Sequence, residues 1–432
     1  MRTVLSRRRL AAAAAALLAA GGLAACGGAD DDEGGGGGGT ASSGEPGKVA
    51  GFDGTTIRVG VLTPLTGPVA VIGKPLTAGN EVFFDAVNAK GGIAGKYKVE
   101  LVQEDTQYRT DLTVQKYNKL KSDVVTVGQV LGTANTLAIV PQLRRDGLIA
   151  APASLDGLWV REETLLPIGG PYQVQAINAL DHYVNEGGGK GKKVCSFTQD
   201  DAYGEAGQQG LEFGAEKLGV SLGTNQKFKV GDKDVTGQVQ RLRSAGCDMV
   251  FLVATPTDAG TIWGTAAKLG FAPRWVGQSP AWIDELGASP LKDYLEKTVW
   301  IVAEGTEWGD TKVPGMAKMV DDVKRYKPSQ QPDYYFAFGY NQARAVAGVL
   351  EKAVQSGDLS HDGIKQALEG LGTFSFDGLT GDYQYGPAAD REPPRSSTIF
   401  EVDPDKPFGL GTLKYNAESP HAKEFTFEKA DL

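Results

Sequence analysis

Cysteine and histidine are scarce in this chain, with only three of each in 432 residues. His182, His361 and His421 stand far apart, and no His-Glu-x-x-His, Cys-x-x-Cys or Gly-x-Ser-x-Gly pattern occurs. That scarcity argues against a zinc centre, a dithiol redox site and an α/β-hydrolase nucleophile. Carboxylates alone can do acid–base chemistry, so the case for an enzyme is weakened without being closed. Basic clusters are missing from the body as well. The formal charge is −9, with 44 Lys and Arg against 53 Asp and Glu, which argues against a nucleic-acid partner. No apolar run reaches the roughly 20 residues that a membrane span requires.

What the chain does have begins at its first residues. Arg2, Arg7, Arg8 and Arg9 precede an apolar stretch from Leu10 to Ala25, a signal-peptide pattern over residues 1–25. It closes on Leu23-Ala24-Ala25-Cys26, which resembles a bacterial lipobox and makes Cys26 the expected lipidated N-terminus. A free Cys after an ordinary signal is the alternative. Ser6-Arg7-Arg8-Arg9-Leu10 also fits a twin-arginine signal, so the export route stays open. Residues 26–54 are Gly, Ser and acid, including Asp30–Glu33 and Gly34–Gly39, with little apolar surface to bury. They are expected to form a flexible tether spanning about 30 Å. Gly34-x-Gly36-x-x-Gly39 formally matches a dinucleotide fingerprint, but no strand precedes it and no helix follows. The expected location is the outer face of the cell membrane. Cys195 and Cys247 then remain as a pair, each at the start of an apolar run. In an exported protein a disulfide is expected if those runs are neighbouring parallel strands, and two buried thiols otherwise.

The body alternates strand and helix signals. Ile57–Thr63, Val99–Glu104, Val124–Val127 and Leu148–Ala151 read as strands, with helical spacing in Leu76–Asn88, Leu112–Leu120 and Asn135–Arg145. A second series follows at Val194–Phe197, Gln226–Val230, Met249–Ala254, Trp275–Gly277 and Val299–Ala303. Pro167-Ile168-Gly169-Gly170-Pro171 separates the two series and reads as a hinge. Later, Phe336, Tyr340, Ala343, Ala347 and Leu350 make one helical stripe, and the tail Phe376–Asp405, rich in Gly, Asp and Tyr, holds short β segments. This predicts an α/β fold of two doubly wound, mostly parallel lobes joined by a multi-strand hinge. Lobe 1 is residues 55–168 plus 305–377; lobe 2 is 169–304 plus 378–432. Gly187–Lys192 lacks the Walker spacing and lies between a helix and a strand, so it reads as a loop. His182 falls beside an apolar helical stripe and reads as structural.

Several segments in order carry a resemblance: Val61–Pro68, Val87–Gly95, Glu104-Asp105, Leu131–Thr136, Gln199–Gly204, Pro332–Tyr335 and Phe376–Gly381. Together they resemble the branched-chain amino-acid-binding proteins, the type 1 periplasmic binding proteins of ATP-driven importers. The resemblance runs from about Thr55 to Phe400. It implies a monomeric binding protein that is not an enzyme, uses no cofactor or metal, and closes two lobes over a small molecule. It also implies a permease and an ATPase as partners. A ligand-sensing lipoprotein of the same fold and an exported α/β enzyme are the alternatives. The family's ligand carboxylate lies at a helix start, a position that matches Gly132, Thr133, Ala134 and Asn135. The chemistry agrees, since helix N-termini present free N–H groups to anions. Asn135 could equally be an ordinary N-cap. Ala153, Ser154 and Leu155 follow the fourth strand, Thr255 and Ser279 end later ones, and Tyr203 matches an aromatic that closes over the ligand. Tyr108, Trp159 and Trp282 are further wall candidates.

Two departures bear on the ligand. Leu155 stands where amino-acid binders carry a hydroxyl near the ammonium, and Ser279 where they carry its glutamate counter-ion. Shutting in an unpaired ammonium costs several kcal/mol, more than the ~1.5–3 kcal/mol gained by burying one aliphatic side chain. The expected ligand is a small carboxylate or amide without an α-ammonium, unless Asp105, Asp156 or Asp200 supplies the missing charge.

Overall fold

The computed structural model describes residues 45–431. The expected signal peptide, Cys26 and most of the expected tether lie outside those residues. The end of the tether is folded onto the body. Val49 bridges to Phe52, and the Phe52 ring is buried with its centroid 5.1 Å from that of Tyr97. A side chain on Gly51 would meet the Val124–Val125 backbone at 2.3 Å. The body therefore begins near Val49 rather than Thr55. One buried aromatic anchors a stretch whose average composition is polar.

In chain order the elements are β1 (Thr56–Thr63), α1 (Ala70–Ala89), β2 (Lys98–Asp105), α2 (Thr110–Leu120), β3 (Thr126–Leu131), α3 (Thr133–Asp146), β4 (Ala150–Ala153), α4 (Tyr172–Asn185), β5 (Val194–Gln199), α5 (Ala202–Leu218), β6 (Leu222–Phe228), α6 (Thr236–Ser244), β7 (Met249–Val253), α7 (Pro256–Lys268), β8 (Arg274–Gln278), α8 (Asp284–Gly287), α9 (Lys292–Thr298), β9 (Val299–Ala303), α10 (Pro314–Tyr326), α11 (Tyr334–Ser356), α12 (His361–Glu369), β10 (Thr373–Phe374), β11 (Tyr383–Gln384), β12 (Ser397–Val402), β13 (Leu410–Ala417) and α13 (Pro420–Glu424). Short 3-10 turns occupy Gly157–Arg161 and Ser279–Ala281.

Strands β2-β1-β3-β4 form one parallel sheet. The central strands β1 and β3 are buried along most of their length, which suits a sheet covered on both faces. Helices α1 and α11 cover one face so closely that a Cβ on Gly339 would lie 1.9 Å from the Leu76 carbonyl oxygen. On the other face Leu120, Ile139 and Leu143 of α2 and α3 pack against Leu62, Val127 and Val130. The second sheet runs β13-β12-β9-β8-β7-β5-β6; β5 to β9 are parallel, and β12 and β13 are antiparallel additions. The long β13 falls beyond the expected β segments, because its half-exposed, polar sequence carries little apolar signal. Cys195 on β5 and Cys247 just before β7 form a disulfide with a Cα separation of 5.8 Å, across adjacent parallel strands. His182 is buried on α4 with its ring centroid 5.4 Å from that of Trp300, and Gly187–Lys192 is a loop.

The chain passes between the sheets three times: at Ile168–Pro171, after Ala303, and between β11 and β12. Glu304, just after Ala303, fastens the second passage to the first and to the β10–β11 loop. Its Oε2 accepts the Gly170 N–H at 2.8 Å and the Thr380 hydroxyl at 2.9 Å. Nearby, the fully buried Arg391 donates to the Glu162 and Leu165 carbonyls, both at 2.8 Å.

Candidate functional site

Both sheets aim the carboxyl ends of their strands at one hollow. Ligands in open α/β sheets bind beyond those ends, and here two such edges face each other. The hollow contains about 530 Å³ of empty space, its solvent-open side included. The first lobe contributes Gly132 and Thr133 after β3, and Ala153, Ser154 and Leu155 at the end of β4. The second contributes Tyr203 at the start of α5, Thr255 after β7, and Ser279 after β8. The lobes touch across the cleft, where the Thr257 hydroxyl donates to the Pro68 carbonyl at 3.2 Å.

The start of α3 is the most polar part of this wall. Gly132 has φ 105°, and a Cβ there would come within 2.6 Å of the Tyr108 ring, so only glycine fits. The first-turn N–H groups have no partner inside the helix and carry its positive end. The Thr133 hydroxyl is buried at the same edge with no hydrogen-bond partner. A buried polar group left unpaired in this way costs ~1–3 kcal/mol, which a ligand acceptor would recover. Ser154 is held from behind, because Trp159 Nε1 donates to its carbonyl at 3.1 Å and its hydroxyl at 3.2 Å.

The tyrosines supply neutral donors and ring surface. Tyr203 packs on Tyr172 with centroids 4.9 Å apart, and its hydroxyl reaches the Ala254 carbonyl at 3.5 Å. Burial pushes the Tyr108, Tyr172, Tyr203, Tyr334 and Tyr335 phenols up from their ordinary range, so all are protonated at neutral pH. No residue lining this hollow carries a formal charge.

Four expected positions fall elsewhere. Asn135 is not the N-cap of α3: Gly132 is, and the Asn135 amide donates to the Leu131 carbonyl at 2.9 Å. Asn135 and Ala134 face an open recess beside the hollow, shared with Tyr108 and Asp201, because two further helical residues turn them away. Trp159 is buried in the core behind Ser154. Trp282 donates to the Phe408 carbonyl at 2.7 Å and borders a neighbouring hollow. Tyr108 does line the site. The three candidate substitute carboxylates are all engaged elsewhere. Asp105 accepts from the Leu65 N–H and the Thr66 hydroxyl, Asp156 caps the turn at Gly157, and Asp200 pairs with Lys227 at 3.2 Å.

Sequence reasoning missed an apolar wall from Val69, Ile72 and Leu76, and an aromatic one from Tyr172, Tyr334, Tyr335 and Phe338. The start of α1 was hidden by Pro75, which lies inside the helix. The motif Pro332–Tyr335 was the available signal for the aromatic wall. Among the described residues no group of three or more His, Cys, Asp or Glu is arranged to hold a metal, and no helix is long and apolar enough to cross a membrane.

Comparison with known proteins agrees with this architecture. The periplasmic binding protein family model matches residues 56–407. A Leu/Ile/Val-binding protein homolog of Brucella melitensis is 28% identical over 48% of this chain, a match spanning 56% of that relative. An amino acid binding protein of Pseudomonas aeruginosa is 26% identical over 69% of this chain and 79% of its own. Among solved structures, a fatty acid ABC transporter substrate-binding protein from Thermomonospora curvata is similar with TM-score 0.82 and 25% identity, covering 89% of this chain and 98% of that one. A branched-chain amino acid ABC transporter protein from Thermus thermophilus with bound valine shares the fold, with TM-score 0.73 and 17% identity over 86% and 98% of the two chains. With two α/β lobes meeting at one cleft and a family match over most of the body, this chain belongs to the periplasmic binding protein family.

Proposed function

We propose that this chain is the capture subunit of an ABC importer, held outside the membrane by lipid on Cys26, and that it carries a hydrophobic carboxylate without an α-ammonium. The two lobes, joined at Ile168–Pro171, after Ala303 and between β11 and β12, close over the ligand. The closed monomer then docks on its permease, and ATP is hydrolysed on the partner ATPase. The chain itself binds and releases the ligand unchanged. Gly132 and Thr133 receive the carboxylate at the start of α3, Ser154, Thr255 and Ser279 add hydroxyls, and Tyr203 covers the ligand.

One observation carries this reading: the hollow combines a helix N-terminus and an unpartnered Thr133 hydroxyl with walls that hold no charged side chain. An anion finds donors there, whereas an ammonium finds no counter-ion. The fatty acid assignment of the Thermomonospora curvata protein is consistent with such a ligand. Calorimetry with leucine and hexanoate tests it. Hexanoate is expected to bind and leucine to bind at least tenfold more weakly, while Ser279→Glu should reverse that order by supplying the missing partner. Tight leucine binding by the unaltered chain would refute the proposal.

A further inference from the structure

Beside the ligand site lies a second hollow with about 740 Å³ of empty space, its open side included. Ser279, Tyr334 and Phe338 belong to both, so one layer of side chains separates the two spaces. The second hollow is walled mainly by apolar groups, among them Ile301, Met316, Trp308, Phe400 and Phe408. Protein interiors are packed to crystal density and keep few voids wider than a water molecule. Because this space opens to solvent, it is an apolar recess beside the binding site rather than a sealed void.

Its two carboxylates do not make it a cation site. Glu307 is paired with Lys406 at 3.1 Å. Glu304 already accepts from Gly170 and Thr380, and burial pushes its carboxyl up to about 6, which leaves it readily neutralised against an apolar neighbour.

We propose that this second hollow is the tail chamber of the ligand site, and that the ligand class is an unbranched alkanoate whose chain runs past Tyr334 and Phe338 into it. The inference rests on the proposed capture of a carboxylate at the start of α3. It adds which part of the molecule holds the remainder of the ligand. Nothing covalent is required, since the chain enters by side-chain rearrangement at the shared wall.

A length series of saturated carboxylates from butanoate to decanoate, titrated calorimetrically into the purified chain, tests the proposal. Each methylene that is buried should tighten binding about fourfold, and the rise should continue through decanoate. Ala337→Trp fills the second hollow from α11 without touching the first, and should weaken decanoate at least tenfold more than butanoate. The ratio of the two affinities in one preparation removes any loss of folded protein, and the length series on the unaltered chain needs no variant. Affinity that levels off anywhere before decanoate would overturn the tail chamber while leaving carboxylate capture standing. Equal weakening of both acids by Ala337→Trp would overturn it too. Tighter binding of the amino-terminated decanoate than of decanoate would replace it with a cation site at Glu304. Failure of every acid to bind would remove the underlying function as well.

Discussion

Glu304 offers a quantitative test of how the lobes are joined. Burial raises its carboxyl from the ordinary 4.5 to about 6, against the lowering effect of the Gly170 N–H and Thr380 hydroxyl bonds. The native state therefore holds a proton between about pH 4.5 and 6 that the unfolded chain has lost. Where the native state binds more protons, stability falls as pH rises. The group is neutral in both states well below both values, and above pH 6 its burial as an anion costs about 2 kcal/mol, from roughly 1.5 units at 1.36 kcal/mol each. Glu304→Gln keeps an acceptor for Gly170 and Thr380 but cannot ionise. Urea unfolding of both proteins at about pH 4.5, 6 and 7.5 should show the variant gaining about 1.6 kcal/mol on the wild type between the ends of that series, since the unfolded chain's carboxyl is already half ionised at pH 4.5. Asp156 and Asp333, raised by burial to about 6 and about 7, titrate in the same window in both proteins and cancel in the difference. A wild-type-to-variant difference that stays constant with pH would refute the account of Glu304 as a buried, titrating clasp.

Two further outcomes follow from the packing. Replacing Cys195 and Cys247 together with alanine reopens a loop with a sequence separation of 52, and the chain-entropy model puts the loss at about 4 kcal/mol; denaturant melts with and without reductant measure it, and a loss under 1 kcal/mol would contradict the model here. Gly339→Ala forces a methyl to within 1.9 Å of the Leu76 carbonyl, so α1 and α11 must separate; about 3 kcal/mol of destabilisation is expected, and a neutral melt would mean that the two helices tolerate a wider spacing.

The frame was legible because its strands are short β-branched runs that end in turn residues. Val194–Gln199 and Met249–Val253 begin at the residues the pattern indicates, and α11 carries the apolar stripe from Phe336 to Leu350. Boundaries shifted where burial and composition disagree: β3 runs to Leu131, past the polar Gln129, which is fully buried and bonded to Asn80. Positions directly after strand ends were also legible, since the pleat stops there and the next residues must face the cleft. Gly132, Thr133, Ser154, Thr255 and Ser279 border the hollow for that reason, whereas Tyr203, in the first turn of α5, was indicated by the resemblance alone. Asn135 turned out differently because helical rotation, invisible without the exact first residue of α3, decides where it points. Val69, Ile72, Tyr172 and Phe338 were hidden because an apolar side chain reads the same in a core as in a ligand wall. Phe52 shows the converse, one ring fixing a segment whose neighbours suggest none of it.

Three backbone threads run between the lobes, and one glutamate ties two of them to each other and to the loop at Thr380. Two plates sewn along a single margin can swing apart like the covers of a book, but they cannot shear past each other without tearing stitches. Whatever solute is shut between them therefore leaves through the same gap by which it came in, the free edge where Tyr108 and Asn135 look across at Asp201. In the proposed importer, the permease would face that edge.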